Sequence, residues 1–248
     1  GASPIMVGAG LAARREIDWH WQSILTLGLA LSGALFIQIA CNLVNDYSDF
    51  ERGTDTEDRL GPARAAAQGW LSAQELKRGA LVSLMLAALC GVYLTWVGGW
   101  PILLLGVASL VSAVAYTAGP FPLAYLGLGD LFVMLFFGLG AVVGTTWLLC
   151  VDTLPYGSWV AGGAVGALAT AIIVVNNLRD RIGDQHNQKR TLAVRFGAKF
   201  ARWEYSLLVL GALASTVAMA WIQDSWGWLL PVVLIPLAFK RIRQVWRF

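Results

Sequence analysis

Ala34-Leu35-Phe36-Ile37-Gln38-Ile39-Ala40-Cys41-Asn42-Leu43-Val44-Asn45-Asp46-Tyr47-Ser48-Asp49 passes from hydrocarbon side chains into amides and carboxylates with no Gly or Pro to break it. Followed toward the N-terminus, the apolar run begins near residue 19, long enough for the 20 or so residues that carry a helix across a bilayer. An ionised side chain within the bilayer costs at least about 2.5 kcal/mol, so acids at the mouth of such a helix usually face a cavity and serve a purpose. A second acidic run, Asn176-Asn177-Leu178-Arg179-Asp180 continuing to Asp184, closes another apolar stretch in the same way.

Outward from these two clusters the chain is almost all membrane. Of its 248 residues 57% are hydrophobic and only 13% charged, and the mean hydropathy is +0.63, values that exclude an ordinary soluble domain. Apolar stretches at roughly 19 to 45, 79 to 97, 101 to 118, 127 to 150, 155 to 178, 203 to 222 and 226 to 239 predict seven spans. The shorter stretch from 2 to 13 reads as a truncated eighth, and the basic residues at the other end leave the chain looking like a fragment at both termini. The expected fold is therefore an all-α, multi-pass transmembrane helical bundle of about eight helices in a single domain, surrounded by membrane lipid.

If the segments alternate across the bilayer, every one of the 18 Lys and Arg residues except Arg14 and Arg15 falls on one side. The positive-inside rule makes that side cytoplasmic, and both acidic clusters lie there. The net charge of +3 thus reports topology and attraction to anionic headgroups, and no nucleic-acid partner is implied. The tryptophans fall near segment ends, as interfacial anchors do. Cys41, Cys90 and Cys150 stand singly and suggest neither zinc nor disulfides.

On a helix that continues to its polar mouth, Asn42, Asp46 and Asp49 share a face at i, i+4, i+7, and Asn45 stands four before Asp49. Asn177, Asp180 and Asp184 repeat the pattern at i, i+3, i+7. Few, hard oxygen ligands that leave coordination positions open suit magnesium shared with a phosphate group better than a closed cage. Two such faces across a cavity can hold one diphosphate, with Arg52, Arg59 and Arg64 after the first cluster and Arg179, Arg181, Lys189 and Arg190 around the second to balance its charge. Glu51, Glu57, Asp58, Arg181, Lys199 and Arg202 read better as solvated loop charges, and Asp55 stands between the two cases.

These residues resemble the UbiA superfamily of intramembrane prenyltransferases, whose signature is a pair of Asp-rich motifs. The first, N-D-x-x-D followed by G-x-D, is matched by Asn45-Asp46-Tyr47-Ser48-Asp49 and Gly53-Thr54-Asp55; the second, D-x-x-x-D, by Asp180 to Asp184. Gly61-Pro62-Ala63-Arg64, Tyr116-Thr117-Ala118-Gly119-Pro120 leading to Tyr125-Leu126-Gly127-Leu128-Gly129-Asp130, and Lys189-Arg190-Thr191-Leu192 bring the likeness closest to the branch acting on 1,4-dihydroxy-2-naphthoate. Gly119-Pro120-Phe121-Pro122 stands where the hydroxybenzoate branch has a Lys-Arg pair, and the family's ninth helix is absent.

The resemblance implies Mg2+ as cofactor, polyprenyl diphosphate as donor, and 1,4-dihydroxy-2-naphthoate as acceptor, with loss of carbon dioxide and diphosphate. Asp46, Asp49, Asp180 and Asp184 become the metal ligands, with Asp55 a further candidate. Asn42, Asn45, Arg52, Arg64, Asn177, Arg179, Lys189 and Arg190 would bind substrate. For Asp130 an acceptor-site role stands beside simple stabilisation by a helix dipole, and for Tyr116 a contact with the allylic cation or acceptor stands beside interfacial anchoring. Another acceptor (homogentisate, a heme precursor or a glycerol phosphate) and a magnesium-coupled transporter are the competing readings; transporters, however, often site their ions near the midplane.

Overall fold

The computed structural model of the chain describes residues 1–15, 19–53, 64–120, 122–150 and 153–247, and among them every regular element is a helix. We label these α1 (Ala2–Ala13), α2 (Trp21–Glu51), α3 (Ala73–Ala115), α4 (Gly129–Leu149), α5 (Gly157–Arg179), the short α6 (Arg181–His186), α7 (Leu192–Ile222) and α8 (Ile235–Arg247); a 3-10 segment, Trp226–Leu234, leads into α8. Five of them, α2, α3, α4, α5 and α7, are long and apolar enough to cross a membrane. Leu81, Met85, Leu89, Val92 and Trp96 on α3 are all exposed, at the three- and four-residue spacing of one helix face. Such a stripe has only lipid as a stable neighbour, and the protein is an integral membrane protein.

The 43 residues of α3 would extend about 64 Å at 1.5 Å per residue, twice the hydrocarbon thickness. They do not run straight. A capping box starts the helix: Ser72 Oγ accepts from the Glu75 N–H at 3.2 Å while Glu75 Oε2 accepts from the Ser72 N–H at 2.8 Å. At Gly99 the backbone turns to φ 71°, ψ −160°, a conformation open only to glycine, and Pro101 follows without an amide to rejoin the ladder. The first leg lies antiparallel to α2, with Lys77 near Tyr47 and Cys90 beneath Gly33. The second leg returns to the same end, where Thr117 Oγ1 donates to Asn45 Oδ1. The two spans expected at 79 to 97 and 101 to 118 are these legs.

Trp147, expected as a lipid anchor, instead braces that corner by donating from Nε1 to the Gly98 carbonyl at 2.8 Å. Trp203 and Trp246 likewise pack edge to face at 5.1 Å, and Trp246 Nε1 donates to Ser206 Oγ at 3.1 Å. Indoles near a membrane interface can equally well satisfy a buried acceptor, and sequence position does not separate the two uses.

The core is built from small contacts between helices, as expected where lipid outside is as apolar as leucine inside. Ile5, Ala30, Leu94, Ile102 and Leu148 join α1, α2, both legs of α3, and α4. Val174 and Leu178 of α5 meet Ala193 and Ala201 of α7. In the middle of α4 a π-helical stretch, Met134–Gly140, crosses α5 so closely that a Cβ on Gly138 would lie 2.5 Å from Gly166 Cα and 2.6 Å from the Gly162 carbonyl oxygen. Because backbone cannot yield as a side chain does, Gly138→Val is expected to destabilise the bundle by about 3 kcal/mol or more. A thermal midpoint in detergent equal to that of the unaltered protein would refute this contact.

Candidate active site

α2 continues unbroken to Glu51, so the first acidic cluster is helical throughout, but its residues turn to different partners. Asp46 is buried and accepts two backbone amides of the following segment, Ala65 N–H at 3.0 Å on Oδ2 and Ala66 N–H at 3.3 Å on Oδ1. That grip places Arg64, whose Nη2 lies 3.6 Å from Asp49 Oδ2. Asn45 and Asp49, one turn apart, face the central connection between α3 and α4 through Thr117 and Tyr125. Asn42 is exposed. The expected Asn42, Asp46, Asp49 face is therefore divided: Asp46 holds the loop, and Asn45 and Asp49 face the central connection. Asp55, Arg59 and the stretch Gly61-Pro62-Ala63 lie outside the described residues.

The central connection is tied to both clusters. Arg52 donates to the carbonyls of Thr117 and Gly119, the latter at 3.1 Å, and its guanidinium carbon sits 4.8 Å from the centre of the Tyr125 ring. The Tyr125 hydroxyl donates to Asp49 Oδ1 at 3.2 Å. From the other side, the Arg190 amide donates to the Tyr125 carbonyl at 3.0 Å and Arg195 Nη2 to the Leu126 carbonyl at 2.9 Å.

α5 ends at Arg179, and Asp180, at φ −88° and ψ 3°, separates it from α6. The second cluster thus straddles a helix break rather than lining one continuous face, although the Asp184 amide still donates to the Asp180 carbonyl at 2.8 Å. Arg179 and Asp180 form a two-pronged pair, both bonds 2.7 Å. Asp184 is buried, with Lys189 Nζ 3.6 Å from Oδ1, and its buried Oδ2 has no hydrogen-bond partner among the described residues. Burial raises the Asp184 pKa above its ordinary value; Lys189 opposes the rise, while the charges of Asp180 and Asp49 add to it. The two clusters meet through Tyr125, whose hydroxyl reaches Asp49 at 3.2 Å and whose ring lies 5.9 Å from the Lys189 ammonium beside Asp184.

Beneath them lies a cavity of ≈ 20 Å³, water-sized, lined by Tyr116, Asp130, Asn177, Lys189 and Thr191 among others. Asp130 stands in the first turn of α4, as expected, but is buried there and accepts from Asn177 Nδ2 at 3.4 Å. Tyr116 is half-buried and brings its hydroxyl against Gly129. Arg190 is exposed and borders an open cleft with Gln185, Gln188, Lys189 and Val194. His186 is exposed, with Nδ1 2.8 Å from the Ile182 carbonyl.

The donor set fits a hard divalent cation that is shared with a ligand. Among the described residues no donor satisfies the buried Asp184 Oδ2, an oxygen that a cation could engage. Among the described residues no three carboxylate, imidazole or thiol groups gather into a site that could hold a metal ion by themselves. Two side chains escaped the reading by sequence. Tyr125 was visible only as part of a motif, and Glu204, an isolated acid on membrane helix α7 within electrostatic reach of Asp130, carried the same signal of an ion in an apolar run.

Comparison with known proteins agrees with this architecture. The chain is 38% identical over 251 residues to the 1,4-dihydroxy-2-naphthoate octaprenyltransferase of Escherichia coli (strain K12), covering 98% of this chain and 80% of that protein. It is 38% identical over 228 residues to the enzyme of the same name from Haemophilus influenzae, covering 87% and 72%, and 36% identical over 222 residues to that of Mycobacterium tuberculosis, covering 88% and 73%. The family model for UbiA prenyltransferases matches residues 2–248. With its helices, its paired acidic clusters and this match over nearly its full length, the chain belongs to the UbiA prenyltransferase family.

Proposed function

We propose that the protein transfers a polyprenyl group from polyprenyl diphosphate to 1,4-dihydroxy-2-naphthoate, releasing diphosphate and carbon dioxide and giving demethylmenaquinol. The reaction takes place at the cytoplasmic face of a bacterial inner membrane. The observation that carries the reading is that Asp49, paired with Arg64, and Asp184, paired with Lys189, meet on either side of Tyr125, which bonds Asp49 at 3.2 Å and has Lys189 5.9 Å from its ring centre. Relatives named for the naphthoate reaction support the choice of acceptor.

Asp49 and Asp184 would hold magnesium, with Asp46 and Asp180 beside them. Bound there, Mg2+ supplies Lewis-acid stabilisation to a departing diphosphate. Arg64 and Lys189 balance further negative charge as the allylic carbon–oxygen bond lengthens. The prenyl tail extends between helices toward lipid, which keeps water from the allylic cation. Asp130 and Asn177, linked to each other below the metal ligands, bind and orient the aromatic acceptor, and the ring face of Tyr116 shields the cation.

The test is product analysis with one labelled prenyl diphosphate and, in parallel, 1,4-dihydroxy-2-naphthoate, homogentisate, a heme precursor and glycerol phosphate. A decarboxylated prenyl naphthoquinol from the first alone is expected. Product only with another acceptor would overturn the assignment while leaving the family intact.

A further inference from the structure

The tyrosine of the central connection does something that neither acidic motif can do alone. Its hydroxyl reaches Asp49 of the first cluster at 3.2 Å. Its ring has Arg52, which follows that cluster, at 4.8 Å and Lys189, which follows the second, at 5.9 Å from its centre. Lys189 in turn lies 3.6 Å from Asp184. The side chain of Tyr125 thus stands between the two halves of the site, and its carbonyl is held by the Arg190 amide at 3.0 Å.

Long cationic side chains are poor ligands unless something limits their freedom, because each must surrender rotamer entropy on binding. An aromatic face limits that freedom, since it attracts a cation through its quadrupole without neutralising it. We propose that Tyr125 is a positioning residue for the donor, holding Arg52 beside the first acidic cluster and Lys189 beside the second, where both can meet the diphosphate of the prenyl substrate. This rests on the proposed donor chemistry, and goes beyond it in naming the side chain that makes one site of two motifs. The ring is the working part. The hydroxyl contributes the orientation of Asp49.

The two parts separate experimentally. Tyr125→Phe keeps the ring and removes the hydroxyl; Tyr125→Leu removes both. Binding of a non-reactive donor, geranyl thiodiphosphate, is measured by calorimetry on purified protein in magnesium, together with steady-state KM for donor and for naphthoate. Two cation–π contacts at the usual strength for partly exposed groups predict roughly tenfold weaker binding for Tyr125→Leu, with less than about threefold for Tyr125→Phe. The donor KM is expected to rise in the same order, with the naphthoate KM unchanged in both. A purely structural role would lower the amount of active protein and leave both KM values alone, so unchanged donor affinity in folded Tyr125→Leu overturns the inference. Equal losses in both variants overturn the role of the ring. If Tyr125→Leu does not fold, Tyr125→Phe decides: a loss of about tenfold or more in analogue affinity refutes the ring, and near-unaltered affinity supports it. Failure of the unaltered protein to bind the analogue at all would instead refute the proposed donor, and this inference with it.

Discussion

Asp184→Ala is expected to abolish prenyl transfer, by about a hundredfold to a thousandfold or more, while leaving the metal-free protein as stable as before or more so. The two halves of that expectation have one cause. Asp184 is buried, with Oδ2 unpartnered among the described residues and its pKa raised above its ordinary value chiefly by loss of solvent, so folding works against its charge. Removing the carboxyl relieves that penalty and removes a metal ligand in the same step. Asp46→Ala should differ in kind. It deprives the Ala65 and Ala66 amides of their acceptors, which costs about 1–3 kcal/mol for each one left unsatisfied in a buried place, and activity is lost through displacement of the loop. Thermal midpoints without magnesium, measured beside turnover, distinguish the cases. A midpoint for Asp184→Ala far below that of Asp46→Ala would contradict the roles assigned.

The pH dependence follows with a definite sign. A carboxyl whose folded pKa lies above its unfolded value adds stability that is fully present below the unfolded pKa and is lost as pH rises through the folded one. Stability of the metal-free protein should therefore fall as pH climbs above about the ordinary carboxylate value of 3.8, and this step should vanish in Asp184→Ala.

Exhaustive chelation is expected to have the largest effect of all, a loss of at least about a thousandfold in turnover that magnesium restores. Electrostatic stabilisation of a leaving group by a metal is worth several kcal/mol, and Arg64 and Lys189 cannot replace it, since each is already shared with a carboxylate. Undiminished transfer in a chelator, checked by metal analysis of the protein, would remove magnesium from the proposal.

Much of this was legible in residues alone. Apolar runs announced the helices, and the segregation of cations showed that both acidic clusters share one end of the bundle. The break between the apolar stretches 79 to 97 and 101 to 118 marked the place where α3 turns back. The shared face of Asn42, Asp46 and Asp49 was less well read, because helical spacing reports direction around an axis and not what waits there. The loop amides that claim Asp46, the turn at Asp180, and the use of Trp147 as a brace all depend on neighbours distant in sequence. Periodicity carries no information about them.

Hydrophobicity and charge along the chain were enough to dictate a membrane bundle with a polar end, because transfer from water to lipid acts on each segment nearly independently of the others. Which carboxylate oxygens are occupied by backbone, which remains orphaned, and which side chain bridges the two motifs were settled only when the helices packed. Those are properties of pairs brought together from far apart, and they depend on distances of a few ångströms that no local composition specifies.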